Sequence, residues 1–130
     1  MKCVISGSFR KFYKEIVWVI EEFEKCGIEV ISPKKSKILN AKDGFVFLAT
    51  DETNDIKMLE EKHLQEIEKS DFLYIYNPVG YIGKSVAFEL GWAVALKKPI
   101  YSQEKPDDVV LAQFTEVKSI REICKKCEVS

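Results

Sequence analysis

The sequence predicts an α/β fold in which helices cover both faces of a mainly parallel sheet of about five strands, as in flavodoxin-like and Rossmann-like three-layer sandwiches. Short apolar runs typical of buried strands alternate with longer segments whose apolar residues recur at helical spacing. Glycine, serine and proline separate the two kinds of segment. Because 130 residues suffice for one core and are few for two, we expect residues 1–130 to form a single domain.

The first part of the chain predicts a βαβ unit. A strand over residues 2–6 ends at Gly7, and the helix after it ends at Cys26–Gly27, where glycine can adopt the left-handed cap conformation. A second strand over residues 28–31 is closed by Ser32–Pro33. The apolar stripe of the helix consists of Phe12, Ile16, Val17, Ile20 and Phe23.

The next segment is polar and rich in lysine. Residues 33–42 are therefore predicted to be a loop and a candidate lid, followed by a strand over residues 44–49. Residues 51–55 supply capping side chains for a helix that runs to about Lys69. Its inner face is marked by Ile56, Leu59, Leu64 and Ile67.

The second half repeats the alternation. Ser70–Asp71 interrupts the helix, with Asp71 in a structural hydrogen-bonding position, and residues 72–76 predict a strong strand. A glycine-bearing loop over residues 77–85 leads into an apolar helix over residues 85–96. Two further elements are predicted, a strand over residues 99–101 and a helix capped by Asp107 or Asp108.

Composition excludes several classes of protein. The 20 basic and 21 acidic residues nearly balance, and 46% of the chain is hydrophobic, so neither a nucleic-acid polymer nor a membrane is an expected partner. The N-terminus shows no signal-peptide pattern, and we expect a cytoplasmic protein with reduced thiols. The C-x-x-C at Cys124 and Cys127 lacks a second ligand pair for zinc and the strand-to-helix setting of a redox motif. No metal or cofactor is expected.

The most informative residue is Glu89, an acidic side chain within an otherwise apolar helix. A helix that is apolar on most sides is buried, and a buried carboxylate is costly unless it is paired, hydrogen-bonded or used. Glu89 follows directly on a loop in which Gly80 and Gly83 allow a ligand to approach the backbone closely. The sequence therefore predicts a carboxylate beside a ligand site.

Two loops, residues 6–10 and 77–85, follow predicted strands and should meet at one edge of the sheet. Backbone amides, hydroxyls and Arg10 suit the first loop to a phosphate or carboxylate, although a plain strand-to-helix cap is the alternative. The second loop resembles the end of a P-loop, but Pro78 occupies the place of the first glycine. The candidate binding residues are Ser6, Gly7, Ser8, Phe9, Arg10, Asn77, Gly80, Tyr81, Gly83, Lys84 and Ser85.

His63 is the only histidine of the chain and lies next to the inner stripe of its predicted helix. Its ordinary pKa suits it to carry a proton near neutral pH. A packed structural histidine is the alternative at this stage.

These residues resemble the nucleoside 2-deoxyribosyltransferase superfamily, which includes the 2'-deoxynucleoside 5'-phosphate N-hydrolases and related nucleotide N-glycosidases. The resemblance is carried by residues 5–10, 70–76, 88–93, which read Phe-Glu-Leu-Gly-Trp-Ala, and 98–101. It implies that Glu89 is the nucleophile that attacks C1' of the sugar and that residues 7–10 bind sugar and phosphate. It also implies a homodimer or larger homo-oligomer with sites near subunit interfaces.

Two positions depart from the pattern of this family. His63 stands where the best-characterised members have an aspartate, and Gly83 stands where an aspartate or serine is expected. Three readings follow: His63 replaces the missing acid, the substrate differs, or binding persists without catalysis.

The leading hypothesis is therefore cleavage of the N-glycosidic bond, or deoxyribosyl transfer, with a nucleoside or nucleotide as the small-molecule substrate. Ser8, Arg10, Lys84 and Ser85 provide more anion donors than a bare sugar needs, which favours a nucleoside 5'-monophosphate. The alternatives are a non-catalytic nucleotide-sensing module that uses the same pocket and an NAD glycohydrolase. The sequence does not distinguish the base, the sugar or the acceptor.

Overall fold

The computed structural model describes residues 1–34, 38–42, 45–48 and 55–129. Two sets of strands and five helices make up the described chain. In chain order the elements are β1 (Lys2–Gly7), α1 (Phe9–Lys25), β2 (Glu29–Ser32), β3 (Ile38–Lys42), β4 (Phe45–Leu48), α2 (Ile56–Lys69), β5 (Phe72–Tyr76), a 3-10 turn (Pro78–Gly80), α3 (Lys84–Ala95), β6 (Ile100–Ser102), α4 (Val109–Ala112), β7 (Glu116–Val117) and α5 (Ile120–Val129).

The main sheet confirms the predicted fold class. Its five strands run in the order β2-β1-β5-β6-β7, and every neighbouring pair is parallel. Counting only these strands, the order is the 2-1-3-4-5 arrangement of flavodoxin-like folds. The strand order reverses between β1 and β5, where Ser6 pairs with Ile75 and Gly7 with Tyr76. A ligand site is therefore expected beyond these residues.

Alternation along the strands builds a core on each face of the sheet. Cys3 and Ile5 of β1 belong to one core, whereas Val4 between them belongs to the other. The first core includes α1 and α5, with Phe23 packed edge-on against Tyr74 at 5.2 Å between ring centroids. The second core holds α2 and α3 against the sheet through Ile67, Val86, Leu90 and Ala93.

The predicted lid over residues 33–42 is wrong in its last part. Residues 38–42 form β3, which pairs antiparallel with β4 in a separate two-stranded sheet. The strand predicted over residues 44–49 exists as β4 but does not join the parallel sheet. Only two residues separate β3 from β4, and a connection this short can join only antiparallel strands.

Capping side chains set the helix starts near the predicted places. Asp55 begins α2, because its side chain accepts a hydrogen bond from the amide of Met58 at 3.0 Å. The other predicted cap residues, 51–54, lie outside the described residues. Asp108 caps α4 by accepting from the amides of Val110 and Leu111. Asp71 accepts from the amide of Lys2 at 2.8 Å, which is the structural role predicted for it.

The end of the chain differs from the prediction. Sequence reasoning placed no elements at β7 and α5, because β7 is two residues long and the α5 sequence is dominated by charges. The expectation of reduced thiols is wrong for Cys26 and Cys124, which form a disulfide that joins the end of α1 to α5. The packing of α5 on α1 brings these two residues together across 98 positions of sequence, a proximity that Cys spacing alone does not reveal. Within the described residues, no helix is long and apolar enough to cross a membrane.

Candidate active site

A cavity of about 580 Å³ opens at the carboxyl ends of β1 and β5, where the strand order reverses. Small-molecule sites typically measure ~300–1,000 Å³, so a nucleotide-sized ligand fits. A Cβ atom at Gly7 would lie 3.0 Å from the carbonyl oxygen of Tyr76, so a larger residue would crowd the end of β5. Ten of the predicted site residues line this cavity, namely Gly7, Ser8, Phe9, Arg10, His63, Tyr81, Gly83, Lys84, Ser85 and Glu89.

Glu89 lies on the inner side of α3 and is only 6% exposed. Its Oε1 accepts a hydrogen bond of 2.7 Å from the hydroxyl of Ser6, at the end of β1. The Nε2 atom of His63 lies 3.4 Å from the same oxygen. The buried carboxylate is thus compensated by a cationic partner and a hydroxyl donor, as its burial requires.

His63 reaches Glu89 from α2. Its Nδ1 atom lies 2.9 Å from the hydroxyl of Ser32 at the end of β2, so both ring nitrogens have partners. The indole Nε1 of Trp92 donates to the carbonyl of Leu64 at 3.0 Å and ties α3 to α2 beside the histidine. These contacts fix the ring relative to the carboxylate.

A second carboxyl, that of Glu60, belongs to the same cluster. Glu60 lines the cavity one helical turn before His63, and its carboxyl group interacts with that of Glu89. Its Oε1 atom is buried and has no hydrogen-bond partner among the described residues. Two carboxyl groups in hydrogen-bond contact share one proton, because two adjacent negative charges repel.

The environment separates the pKa values of these two carboxyl groups. The pKa of Glu60 is raised to about 8, mainly by burial and then by the hydrogen-bond interaction with Glu89 and the charge of Glu89. Burial alone would also raise the pKa of Glu89, but the charge of His63 and hydrogen bonds from His63, Glu60 and Ser6 lower it to about 2. At neutral pH Glu89 is therefore ionised and Glu60 carries a proton.

The same cluster favours the cationic form of His63. Burial lowers the pKa of the imidazole, but the charge and hydrogen bond of Glu89, followed by the charges of Glu60 and Glu66, outweigh burial and raise it. The three side chains thus differ in their preferred protonation states: Glu60 favours the neutral acid, Glu89 the carboxylate and His63 the cation. Pairs of titratable groups with separated pKa values are typical of acid–base sites.

The other side of the cavity is suited to an anion. Two helices begin at it, α1 after Ser8 and α3 after Gly83, and neither has a side-chain cap on its free amides. Arg10 and Lys84 add positive charge at these starts. Lys11 also lines the cavity, with its Nζ 4.9 Å from the ring centroid of Tyr81.

Three predicted binding residues do not line the cavity. Ser6 is fully buried, and its hydroxyl is used on Glu89. The side-chain amide of Asn77 bonds the backbone of Glu104 twice, at 2.8 and 3.0 Å, and so holds the loop instead of a ligand. Gly80 has φ +81° and packs against residue 105, whose carbonyl oxygen would lie 2.5 Å from an added Cβ. These three residues support the site through contacts outside the cavity.

Sequence reasoning missed Glu60, Ser32 and Lys11. Glu60 could have been found, because positions 60 and 63 lie on one face of the predicted helix and His63 was already a candidate. Ser32 gave no signal, since its contact with His63 depends on how α2 packs on the sheet. Among the described residues, no group of three or more His, Cys, Asp or Glu side chains is arranged to hold a metal ion.

The cluster makes a prediction for stability against pH. The raised pKa of Glu60 contributes stability in full below its ordinary value of 4.5, and this contribution is lost as pH rises to about 8. Glu60→Gln, which cannot ionise, should flatten the fall in the free energy of unfolding across this range. The part due to His63, above pH 6.5, should remain.

Urea denaturation at several pH values measures this effect. Glu61→Gln is the matched control, because Glu61 is exposed and its ion pair within the described part of the chain is with Lys57, 3.8 Å away on the same helix. An unchanged slope in Glu60→Gln would show that Glu60 does not hold a proton in the folded protein.

Comparison with solved structures finds proteins of similar fold, whereas comparison of sequences finds no match. No protein-family model and no curated protein sequence matches this chain. Its structure is similar to that of the CMP N-glycosidase BcmB of Clostridium botulinum, with 16% identity, a TM-score of 0.58, and 99% of this chain and 98% of the other covered. It is similar to a 2-deoxyribosyltransferase of Bacillus psychrosaccharolyticus, with 14% identity, a TM-score of 0.62, and coverage of 95% and 90%. A conserved protein of Enterococcus faecalis V583 has 16% identity, a TM-score of 0.68, and coverage of 99% and 98%. At these identities the comparisons show that the chain has the fold of these proteins.

Proposed function

We propose that this protein is an N-glycosidase or deoxyribosyltransferase that acts on a nucleoside 5'-monophosphate through a covalent intermediate on Glu89. The observation that carries the proposal is the ionised, buried Glu89 carboxylate, fixed by Ser6 and His63 in a cavity with an anion-binding side. The similarity in fold to an enzyme named as a CMP N-glycosidase and to a 2-deoxyribosyltransferase supports this class of reaction.

The chemistry follows from the charge of Glu89. As the bond between C1' and the base nitrogen breaks, its electron pair goes to the base and positive charge develops on the sugar. The preplaced carboxylate stabilises that charge and then bonds to C1'. Water that attacks C1' in the second step makes the enzyme a hydrolase, whereas an incoming base makes it a transferase.

A phosphate on the substrate explains the cationic side of the cavity. The free amides at the starts of α1 and α3, with Arg10 and Lys84, suit a dianion. A phosphate held there, with C1' at Glu89, orients the sugar within one cavity. Binding energy from this remote group can then be used to position the reacting atoms.

We also propose that the protein forms a homodimer through the outer face of α3. Phe88 and Trp92 lie one turn apart on that face and are 60% and 37% exposed. Large exposed apolar side chains that adjoin one another are typical of protein interfaces.

Sedimentation velocity tests this interface. Phe88→Lys should yield monomers, because a lysine in an apolar contact must be desolvated. Trp18→Lys is the control, since Trp18 is 56% exposed on α1, a helix that packs with the other core. A wild-type monomer, or a Phe88→Lys dimer, contradicts the proposal.

Glu89→Gln should abolish base release, with a loss of about 10³-fold or more, because an amide neither stabilises the cationic sugar nor bonds to it. The measurement is chromatography of free base after incubation with ribo- and deoxyribonucleosides, their monophosphates and NAD, with and without an acceptor base.

The control is Glu68→Gln on the exposed side of α2, which should behave as wild type. Full activity in Glu89→Gln would refute the nucleophile. Nucleotide-induced thermal stabilisation without any product, even in wild type, would instead support a sensing module.

Arg10→Gln should raise KM for a nucleoside monophosphate by about 10-fold or more and leave the parent nucleoside unaffected, because only the phosphate uses the guanidinium. Lys14→Gln removes an exposed cation of the same helix that does not line the cavity, and it should change neither value. Steady-state kinetics on the matched pair of substrates measures the difference. Equal effects on both substrates would place the phosphate elsewhere.

A further inference from the structure

We propose that Glu60 gives the leaving base its proton and then takes a proton from the incoming nucleophile, while His63 is a positioning residue that holds Glu89. This inference rests on the proposed N-glycosidase function and deepens it. The resemblance to the family leads to a different assignment, because its acid aligns with His63. The contacts of the three side chains distinguish the two assignments.

Both ring nitrogens of His63 are engaged by neighbouring side chains. Its Nδ1 is 2.9 Å from the Ser32 hydroxyl, and its Nε2 is 3.4 Å from Glu89 Oε1. The histidine ring pairs with the buried Glu89 carboxylate, and this contact favours the cationic form of the ring. Loss of a proton from the ring would leave Glu89 without this partner at the moment when it must act as an anion.

Glu60 has the features that a proton donor needs. It lines the cavity, its Oε1 is buried without a hydrogen-bond partner among the described residues, and its carboxyl group interacts with that of Glu89. An unsatisfied buried polar atom costs ~1–3 kcal/mol, and a substrate group that bonds to it recovers that cost. The base of a bound substrate can supply such a group, since nucleobases carry donors and acceptors on their edges.

The contact between the two carboxyl groups also couples proton transfer from Glu60 to bond formation between Glu89 and C1'. Burial and, after it, the interaction with the negatively charged Glu89 hold the proton on Glu60. When Glu89 bonds to C1' its charge disappears, so Glu60 becomes a stronger acid as the base departs with the electron pair of the broken bond. The base takes the proton, and Glu60 is left as a carboxylate.

The second step reverses these events. The Glu60 carboxylate takes a proton from water or from an acceptor base while the oxygen or nitrogen of that nucleophile bonds to C1'. The bond between C1' and Glu89 breaks, and its electrons return to Glu89 as a carboxylate. Glu60 is protonated again, and every proton and electron pair is accounted for. One group thus serves as acid and then as base, as in retaining glycosidases.

A leaving group that needs no proton separates the two roles. The probe is a 4-nitrophenyl 2-deoxyriboside 5'-phosphate, whose nitrophenolate departs unprotonated, compared with the natural type of substrate identified by base release. Glu60→Gln should lose about 10²–10⁴-fold on the nucleotide yet retain a burst of nitrophenolate. Azide, which attacks without losing a proton, should restore its turnover. Glu60→Asp, a shorter acid, should recover part of the activity on the nucleotide.

His63→Gln should behave differently. This variant should lower the rates with both substrates to a similar extent, and azide should not restore them. The substitution impairs the positioning and charge of Glu89 and leaves the proton transfer unchanged. Glu61→Gln, the exposed neighbour, should match wild type on both. The fall in kcat at alkaline pH, expected near the pKa of about 8 of Glu60, should be absent in Glu60→Gln.

Two results would overturn the inference. Nucleotide activity within threefold of wild type in Glu60→Gln would show that another group donates the proton. Equal losses on both substrates without azide rescue, in a variant with unchanged thermal stability, would give Glu60 a purely structural role. A wild-type protein that releases neither base nor nitrophenolate would overturn the proposed function itself, and this inference with it.

Discussion

The buried negative charge of Glu89 is the constraint on which the rest of the site depends. A carboxylate that is 6% exposed cannot stay ionised unless its neighbours replace the hydration that it has lost. Ser6 supplies a hydroxyl, His63 a positive charge and Glu60 a shared proton. Each of these groups comes from a different element or turn, so the charge can be held only when β1, α2 and α3 pack in register.

The fold satisfies that constraint through its topology. In a doubly wound parallel sheet the strand order reverses once. Here it reverses between the neighbouring strands β1 and β5, and a crevice opens beyond their carboxyl ends. The loop after β1 turns into α1, and the loop after β5 leads to α3, so two helix starts and the inner side of α3 face the same space. The loop before α3 is anchored from behind by Asn77, whose amide bonds the backbone of Glu104. In this one loop, Asn77 therefore makes stabilising contacts, whereas Tyr81 and Gly83 face the cavity.

Sequence reasoning predicted the parts of this arrangement that depend on local pattern. The parallel sheet follows from alternating strands and helices, and Glu89 was identified because a carboxylate contrasts with the apolar helix around it. The pairing of β3 with β4 was missed because a lysine-rich segment has weak strand character. Asn77 and Gly80 were predicted to bind a ligand, but they contact residues 104–107 instead, and spacing along the chain cannot reveal a contact with this distant turn. Glu60 could be linked to His63 by helical spacing, but its approach to Glu89 depends on the packing of α2 on α3.

The pairing of Glu60 with His63 offers a physical account of how the acid of this site can differ from the family pattern. The proposed proton donation requires an acid beside Glu89, and that acid is not restricted to one sequence position. Residues three apart on a helix share a face, so a carboxyl at position 60 can serve the same space as one at position 63. Once the acid lies at 60, the vacated position can hold a cation, which lowers the pKa of Glu89. In the proposed mechanism the histidine therefore complements the acid one turn away, because His63 favours the charged form of Glu89 and Glu60 carries the proton that the reaction moves.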